Sequence, residues 1–461
     1  MKKNKILNIV GIIIMSLLII FGAIGTSIYS KKNTPSEKSK FNFYFDMSNW
    51  NYDEKNNVYY QLNINYCEKS KINENQKFDI YVPGEYLIGE KSNNEKYKCE
   101  FNNNGQKAGY NAKSAPMIIS IQTEESIEQK THKKYDYEEI SNYINEGYIY
   151  IWPGTRGLKE NQKNASNEEY SNAIIDGVTD LKALVRFCRF NKGIMPGDVE
   201  KIISFGANGG GTKSAILGAS GDSELYSSKL LAVGAIMAND EGIGISDSVN
   251  GTMCSTPTNI LEIAKKANAW SIGQYIDNNN PEKQKANNEM ALQYGNFVNK
   301  MKFKSEDGTL LYLDETKQGV YASGTYSTYM LSEIEKSINI YNENTNMTKI
   351  NSFKDLTSLY KDNYYKIDNK IILNEYNPFY YLSDKYSGKD SSFISRYWNI
   401  CTLIDKNIDI FLSEENLKLI LQKNEDVRKV NYSCIWAKDF SDEEEELIVF
   451  DNLNSWVKSC Y

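Results

Sequence analysis

The sequence predicts a mixed α/β protein with a mostly parallel sheet, helices on both faces of that sheet, and a membrane segment at the N-terminus. Two observations predict the fold. Apolar, strand-like runs alternate with helical patterns, and one strand runs directly into a glycine-rich turn that opens a helix. A third observation predicts the membrane segment: no charged residue occurs from Ile6 to Ile28, a run long enough to cross the ~30 Å hydrocarbon core of a bilayer.

Composition excludes several classes of protein. Aromatic residues make up 12% of the 461 residues, which is too many for a disordered chain. The net charge of −7 argues against nucleic acid as the main partner. The seven cysteines form no CxxC pair and His132 is the only histidine, so we expect neither a metal site nor a cofactor. One or two disulfides remain open if the chain is exported.

The N-terminal segment predicts an extracytoplasmic protein. Three lysines within the first five residues favour a cytoplasmic N-terminus, so residues 1–30 are interpreted as a single-pass anchor in the cell membrane and residues 31–40 as a tether. Gly25-Thr26-Ser27 offers an alternative, a cleaved signal peptide and a secreted protein. In either case we expect residues 41–461 to lie outside the cytoplasm as one α/β domain.

The elements of that domain follow in order. Buried strands are predicted at Phe78–Pro83, Met117–Ile121, Gly147–Trp152, Lys201–Phe205 and Leu230–Ala238. A helix is predicted from about Ala173, because apolar residues then recur at spacings of three and four, and a second helix should run from the glycine turn through Leu217.

The second half of the chain predicts an insertion. Residues 276–391 are rich in Asn, Lys and Tyr, lack long apolar runs, and carry helical patches near Leu292 and Met330, which suggests a cap over the sheet. The core should resume near Tyr397. Four glutamates from Glu443 onward predict the first turn of a C-terminal helix, where the helix dipole favours carboxylates.

The glycine turn, Gly206 to Gly211, decides the functional question. A dinucleotide-binding turn needs GxGxxG, but Asn208 occupies the second glycine position. A P-loop needs Gly-Lys-Ser/Thr, and here Thr212 separates Gly211 from Lys213. The spacing does match the nucleophile elbow, GxSxG, with Asn208 in place of the serine. The elbow requires positive φ at this residue, which Asn tolerates, but an amide cannot attack an ester.

Four segments carry a family resemblance. They are Tyr66-Cys67 with Phe78–Pro83, Gly147–Gly157, Asp180–Arg186, and Pro196–Ile202 leading into the elbow. Together they resemble the bacterial tannase and feruloyl-esterase-like branch of the α/β-hydrolase superfamily. The resemblance is strong over residues 60–275 and weak beyond. It implies the α/β-hydrolase fold, carboxylic-ester hydrolysis and a Ser-Asp-His triad.

Placed on this chain, the implied triad is degenerate. The nucleophile position is Asn208, the best match for the acid is Asp405, and the histidine position falls on Phe440. His132 precedes the elbow, whereas the triad histidine of this fold follows it, and its lysine-rich surroundings predict a solvated loop residue. The resemblance leaves an oxyanion or ligand-binding site made of Gly209 with Gly154, Thr155 and Arg156.

Two functional hypotheses follow. The first is a protein that has lost hydrolase activity and binds or scaffolds a small ester, phenolic, carboxylate or glycan ligand. The second is an active ester hydrolase with a non-standard nucleophile, such as Cys254 assisted by a carboxylate. Arg156 could bind a ligand carboxylate or simply brace its loop.

Overall fold

A computed structural model describes residues 42–461 with internal gaps. The gaps are 72–74, 93, 125, 160, 163–164, 258–260, 272, 274–280, 316–322, 342–375, 384–391, 405–407 and 437–440. Residues 43–461 form one compact unit.

A central sheet organises the described residues. The described strands are β1 Asn51–Asp53, β2 Val58–Asn65, β3 Lys77–Pro83, β4 Leu87–Lys91, β5 Tyr97–Phe101, β6 Met117–Thr123, β7 Ile149–Pro153, β8 Ile202–Asn208, β9 Gly251–Ser255, β10 Tyr397–Ile404 and β11 Lys429–Trp436. Nine of them form the central sheet in the order β1-β2-β3-β7-β6-β8-β9-β10-β11, and β4 and β5 form a separate hairpin. From β7 to β11 all neighbours are parallel, whereas β1, β2 and β3 pair antiparallel. A mostly parallel sheet is therefore confirmed.

Helices cover both faces of this sheet. They are α1 Tyr137–Asn145, α2 Asn167–Phe190, α3 Gly209–Ala219, α4 Ser227–Val233, α5 Leu261–Ser271, α6 Pro281–Met301, α7 Thr325–Tyr341, α8 Pro378–Leu382, α9 Ile408–Lys423 and α10 Asp442–Cys460. The apolar sides of α2, α3 and α9 join one buried cluster, and those of α1 and α10 join a second cluster on the opposite face. This layering fits an α/β-hydrolase fold.

Most predicted elements are confirmed, and their boundaries have local causes. Helix α2 begins six residues before Ala173, because Ser166 and Glu169 form a reciprocal capping box at its N-terminus. The C-terminal helix α10 starts in the same way, with Ser441 and Glu444 as the capping pair. The glutamates after Ser441 therefore begin a helix, as predicted.

The predicted strand at Leu230–Ala238 is wrong. Its first residues belong to α4, which ends at Gly234 in the left-handed conformation with φ of 66°. A short apolar run is compatible with either a strand or a buried helix, and in this structure it forms a helix. The next strand after β8 along the chain is the short strand β9, which pairs with β8 on the side away from β6.

The structure tests the predicted insertion, membrane anchor and disulfides only in part. Between β9 and β10 the described residues form helices and no strand, while the boundaries 276–391 of the insertion stay a prediction. No helix in the described part of the chain is long and apolar enough to cross a membrane. The predicted anchor and tether lie outside the described residues. All seven cysteines are free thiols, so the disulfides left open above are absent.

Candidate functional site

The glycine turn forms a sharp corner between β8 and α3. Asn208 is the residue at the corner, with φ of 52° and ψ of −120°, and its exposed side chain makes no capping hydrogen bond to the helix. The flanking glycines permit the tight packing. A Cβ atom on Gly206 would lie 2.1 Å from the carbonyl oxygen of Gly210, and one on Gly210 would lie 1.8 Å from that of Ile121. The chain thus retains the backbone of a nucleophile elbow.

The side chain at this corner offers binding groups and no nucleophile. The Asn208 amide carries one acceptor oxygen and two N–H donors, so it can hydrogen-bond a carbonyl, a hydroxyl or a carboxylate. Gly209 is the first residue of α3, where backbone N–H groups lack intrahelical partners and favour an anionic ligand. Its role as an oxyanion donor stays a prediction.

The loop beside the elbow is not the one expected from the sequence. Strand β6 pairs directly with β8, and Thr123 lies opposite Asn208, so the loop that follows Thr123 borders the corner. Gly154 and Thr155 follow β7, one strand further away. Their N–H groups donate to Lys77 O at 2.6 Å and to Gln129 O at 2.8 Å, respectively. These two amides are therefore not available as oxyanion donors.

Arg156 braces its own loop. Its Nε and Nη2 atoms contact the buried carboxylate of Asp180 at 2.9–3.1 Å, its backbone N–H donates to the same carboxylate at 2.8 Å, and Nη1 lies 3.2 Å from Asp176. Of the two roles considered for this side chain, the structure shows the bracing role.

His132 is not the solvated residue that its sequence context predicts. Its side chain is only 17% exposed, and Nδ1 lies 2.9 Å from Tyr81 Oη and 3.2 Å from Asp79 Oδ2. Nε2 lies 3.3 Å from Glu139, and the ring packs on Trp152 with centroids 4.4 Å apart. The partners from β3, Tyr81 and Asp79, lie 51 and 53 positions from His132, so no local pattern could reveal them.

His132 also lies away from the elbow. Trp152 packs against the apolar cluster that contains α1 and α10, whereas α3, the helix that follows Asn208, packs in the cluster on the other face. The imidazole is thus bound to carboxylates and a phenol in another part of the sheet, and the structure does not bring it to Asn208.

Cys254 cannot act as the alternative nucleophile in this structure. The residue lies within β9 and its side chain is fully buried. Burial raises the pKa of the Cys254 thiol well above its usual range, so the reactive thiolate is suppressed. The remaining triad positions, Asp405 and Phe440, lie outside the described residues.

Sequence reasoning missed a buried lysine behind the elbow. Lys213 on α3 is fully buried, and its Nζ contacts Ile127 O at 2.9 Å and Thr123 Oγ1 at 3.3 Å. Burial lowers the pKa of Lys213 to about 7, partly opposed by the charge of Asp180. These two contacts hold the loop after β6 against α3, the helix that begins at the elbow.

This lysine should make stability depend on pH. Between the lowered pKa of about 7 and the unfolded pKa of 10.5, only the unfolded chain holds the extra proton. The free energy of unfolding should therefore rise with pH across that window. We expect Lys213→Met to remove most of this rise and to stabilise the protein at pH 7 by a few kcal/mol. Urea unfolding at pH 7 and pH 9 measures both effects; an unchanged pH slope in the variant would contradict the assignment.

Sequence comparisons give no relative for this chain. No protein-family profile matches it, and no curated protein matches it at a significant level.

Comparison with solved structures gives similar folds over most of the chain. A tannase from Lactobacillus plantarum matches with a TM-score of 0.64 and 17% identity, covering 91% of this chain and 100% of the other. The Fusobacterium nucleatum tannase matches with a TM-score of 0.63 and 20% identity, covering 90% and 100%. A tannin acyl hydrolase in complex with 3,4-dihydroxybenzoate gives 0.62 and 18%, covering 87% and 94%.

These identities are low, so the likeness is one of fold. The chain has the fold of the bacterial tannases, and the resemblance that its sequence predicts is confirmed at that level.

Proposed function

We propose that this chain is a non-catalytic, ligand-binding protein built on a tannase-like hydrolase fold. One observation carries the proposal: the elbow geometry is intact, with φ of 52° at its corner, but the residue presented there is Asn208. Two further facts support it. His132 is bound elsewhere in the sheet, and the Cys254 thiol is buried.

We propose a small phenolic acid or ester as the ligand. Solved tannin acyl hydrolases of this fold carry 3,4-dihydroxybenzoate or ethyl gallate. The Asn208 amide and the N-terminus of α3 offer hydrogen-bond donors that suit the carbonyl or carboxylate of such molecules.

The apolar N-terminal run supports a further proposal, that the protein is held at the cell membrane with its ligand-binding domain outside the cytoplasm.

Calorimetric titration of the full chain with both molecules tests the binding site. We expect saturable binding of each. Asn208→Asp keeps the side-chain shape and tolerates positive φ, but places a negative charge at the corner. It should weaken 3,4-dihydroxybenzoate, an anion, by about tenfold or more, because like charges repel at close range. Neutral ethyl gallate should weaken by only a few-fold, because it loses the hydrogen bond from the Asn208 amide but meets no like charge.

Asn208→Gly is the matched control, because it removes the side chain without adding charge and permits the same backbone conformation. It should affect the two ligands to a similar degree. If the Asp variant binds the acid as tightly as the unchanged protein, the ligand does not sit at the elbow.

A further inference from the structure

The corner residue of the elbow is the first member of an Asn-Gly pair. Asn208 is followed by Gly209, and the same pair occurs twice more in the chain, at Asn104-Gly105 and Asn250-Gly251. In such a pair the backbone nitrogen of the glycine can attack the side-chain amide carbon of the asparagine and close a five-membered succinimide ring. Glycine favours the attack because it has no Cβ to hinder the approach. The rate depends on how the fold holds the two reacting atoms.

The backbone of Asn208 has the geometry that ring closure needs. With ψ of −120°, the Cβ of an L-residue and the nitrogen of the next residue nearly eclipse each other about the Cα–C bond. Four of the five ring atoms therefore lie close to one plane, and only Cγ has to turn towards the nitrogen. The accompanying φ of 52° is uncommon for a residue with a Cβ. A free Asn-Gly pair adopts this conformation only briefly, whereas the fold holds Asn208 in it.

The two reacting groups can also meet. The Asn208 side chain is exposed and makes no capping hydrogen bond to the helix, so rotation about χ1 can bring Cγ to the nitrogen. Gly209 is the first residue of α3, and the N–H groups of the first helical turn have no intrahelical acceptor. The positive end of the helix dipole favours the deprotonated nitrogen, which is the attacking form.

We propose that Asn208 is a site of spontaneous deamidation, which changes the corner of the elbow from an amide to a carboxylate. The Gly209 nitrogen bonds to Cγ and gives up its proton, the bond between Cγ and Nδ2 breaks, and Nδ2 leaves with that proton as ammonia. Water then opens the succinimide to aspartate or isoaspartate. The conversion takes days, so assays that last hours see Asn208 intact. It goes beyond the proposed binding function and needs no ligand.

The other two Asn-Gly pairs are internal controls, because their reacting groups are engaged elsewhere. The Gly105 N–H donates to Asn102 O at 3.2 Å, so the attacking nitrogen of that pair is held in a turn. The side-chain oxygen of Asn250 accepts a hydrogen bond from the Tyr461 hydroxyl, and the glycine of that pair begins the buried strand β9. We expect both pairs to react more slowly than the pair at the elbow.

Peptide mapping by mass spectrometry, on full-length protein aged for several days in mildly alkaline buffer, measures the three conversions together. Each conversion replaces an NH₂ group by OH and raises the mass of its peptide by one unit. In the folded protein we expect Asn208 to convert at least about fivefold faster than Asn104 or Asn250. In concentrated guanidinium chloride the three pairs lose their fixed geometry, so their rates should agree within about twofold.

Gly209→Ala is the matched variant, because a Cβ on the attacking residue hinders ring closure and alanine is well accepted in a helix. It should slow the conversion of Asn208 by about fivefold or more and leave Asn104 and Asn250 unchanged. The comparison of the three pairs within the unchanged protein does not depend on the folding of this variant. Three results would each overturn the proposal: a folded-state rate at Asn208 no higher than at Asn104, an excess that persists in guanidinium chloride, or an unslowed rate in folded Gly209→Ala.

Discussion

Asn208→Ser should leave the chain without measurable ester hydrolysis. The substitution restores a hydroxyl group at the corner of the elbow, but a serine hydroxyl becomes a nucleophile only when a nearby base accepts its proton. The one imidazole of the chain, on His132, is bound to Asp79 and Tyr81 on another part of the sheet. In a serine protease, loss of the histidine alone lowers turnover about a million-fold. We therefore expect the turnover of Asn208→Ser to stay below that of an intact triad by a factor of that order.

The measurement is release of p-nitrophenol from a short aryl ester by the full-length protein. Asn208→Ala is the matched control, since it has neither the amide nor the hydroxyl. The Ser and Ala variants should be indistinguishable from each other and from the unchanged protein. A rate in Asn208→Ser that clearly exceeds the rate in Asn208→Ala would show that a base reaches the corner after all.

Asp247→Ala should cost about 3–5 kcal/mol of folding stability, because it removes the nearest carboxylate from two buried cations. Asp247 is 1% exposed and binds Lys182 Nζ at 2.7 Å and Arg186 Nη2 at 2.6 Å. Its Oδ1 also accepts the backbone N–H of Asp222 at 2.8 Å. Both cations lie in the segment of α2 that carries part of the tannase resemblance, and the structure gives them a stabilising role.

Glu200→Ala is the control for this stability prediction. Glu200 forms an ion pair with Lys192 at 3.0 Å, but both side chains are more than 60% exposed. Removing an exposed ion pair should change the free energy of unfolding by less than about 1 kcal/mol. Urea unfolding of the two variants measures the contrast; similar losses in both would mean that the buried network does not stabilise the fold.

The elbow could be predicted from the sequence because its requirements are local. A buried strand, glycines at Gly206 and Gly210, and a residue that tolerates positive φ between them all lie within a few positions. Alternation of apolar runs with helical patterns predicted the mostly parallel sheet in the same way.

The predictions from sequence that are wrong concern contacts between distant parts of the chain. Local pattern does not give strand order. The sequence therefore predicts Gly154 and Thr155 at the edge of the elbow, although β6 lies between β7 and β8. The sequence predicts a solvated His132 because Asp79, its buried partner, lies 53 positions earlier.

We propose that the corner at Asn208 binds an ester without cleaving it. Incubation of the unmodified full-length protein, in excess, with ethyl gallate followed by mass spectrometry of both protein and small molecule tests this most directly. We expect the ester to be recovered intact and the protein mass to be unchanged, even when calorimetry shows the ester to be bound. Release of gallate faster than in buffer, or a galloyl adduct on the protein, would contradict it.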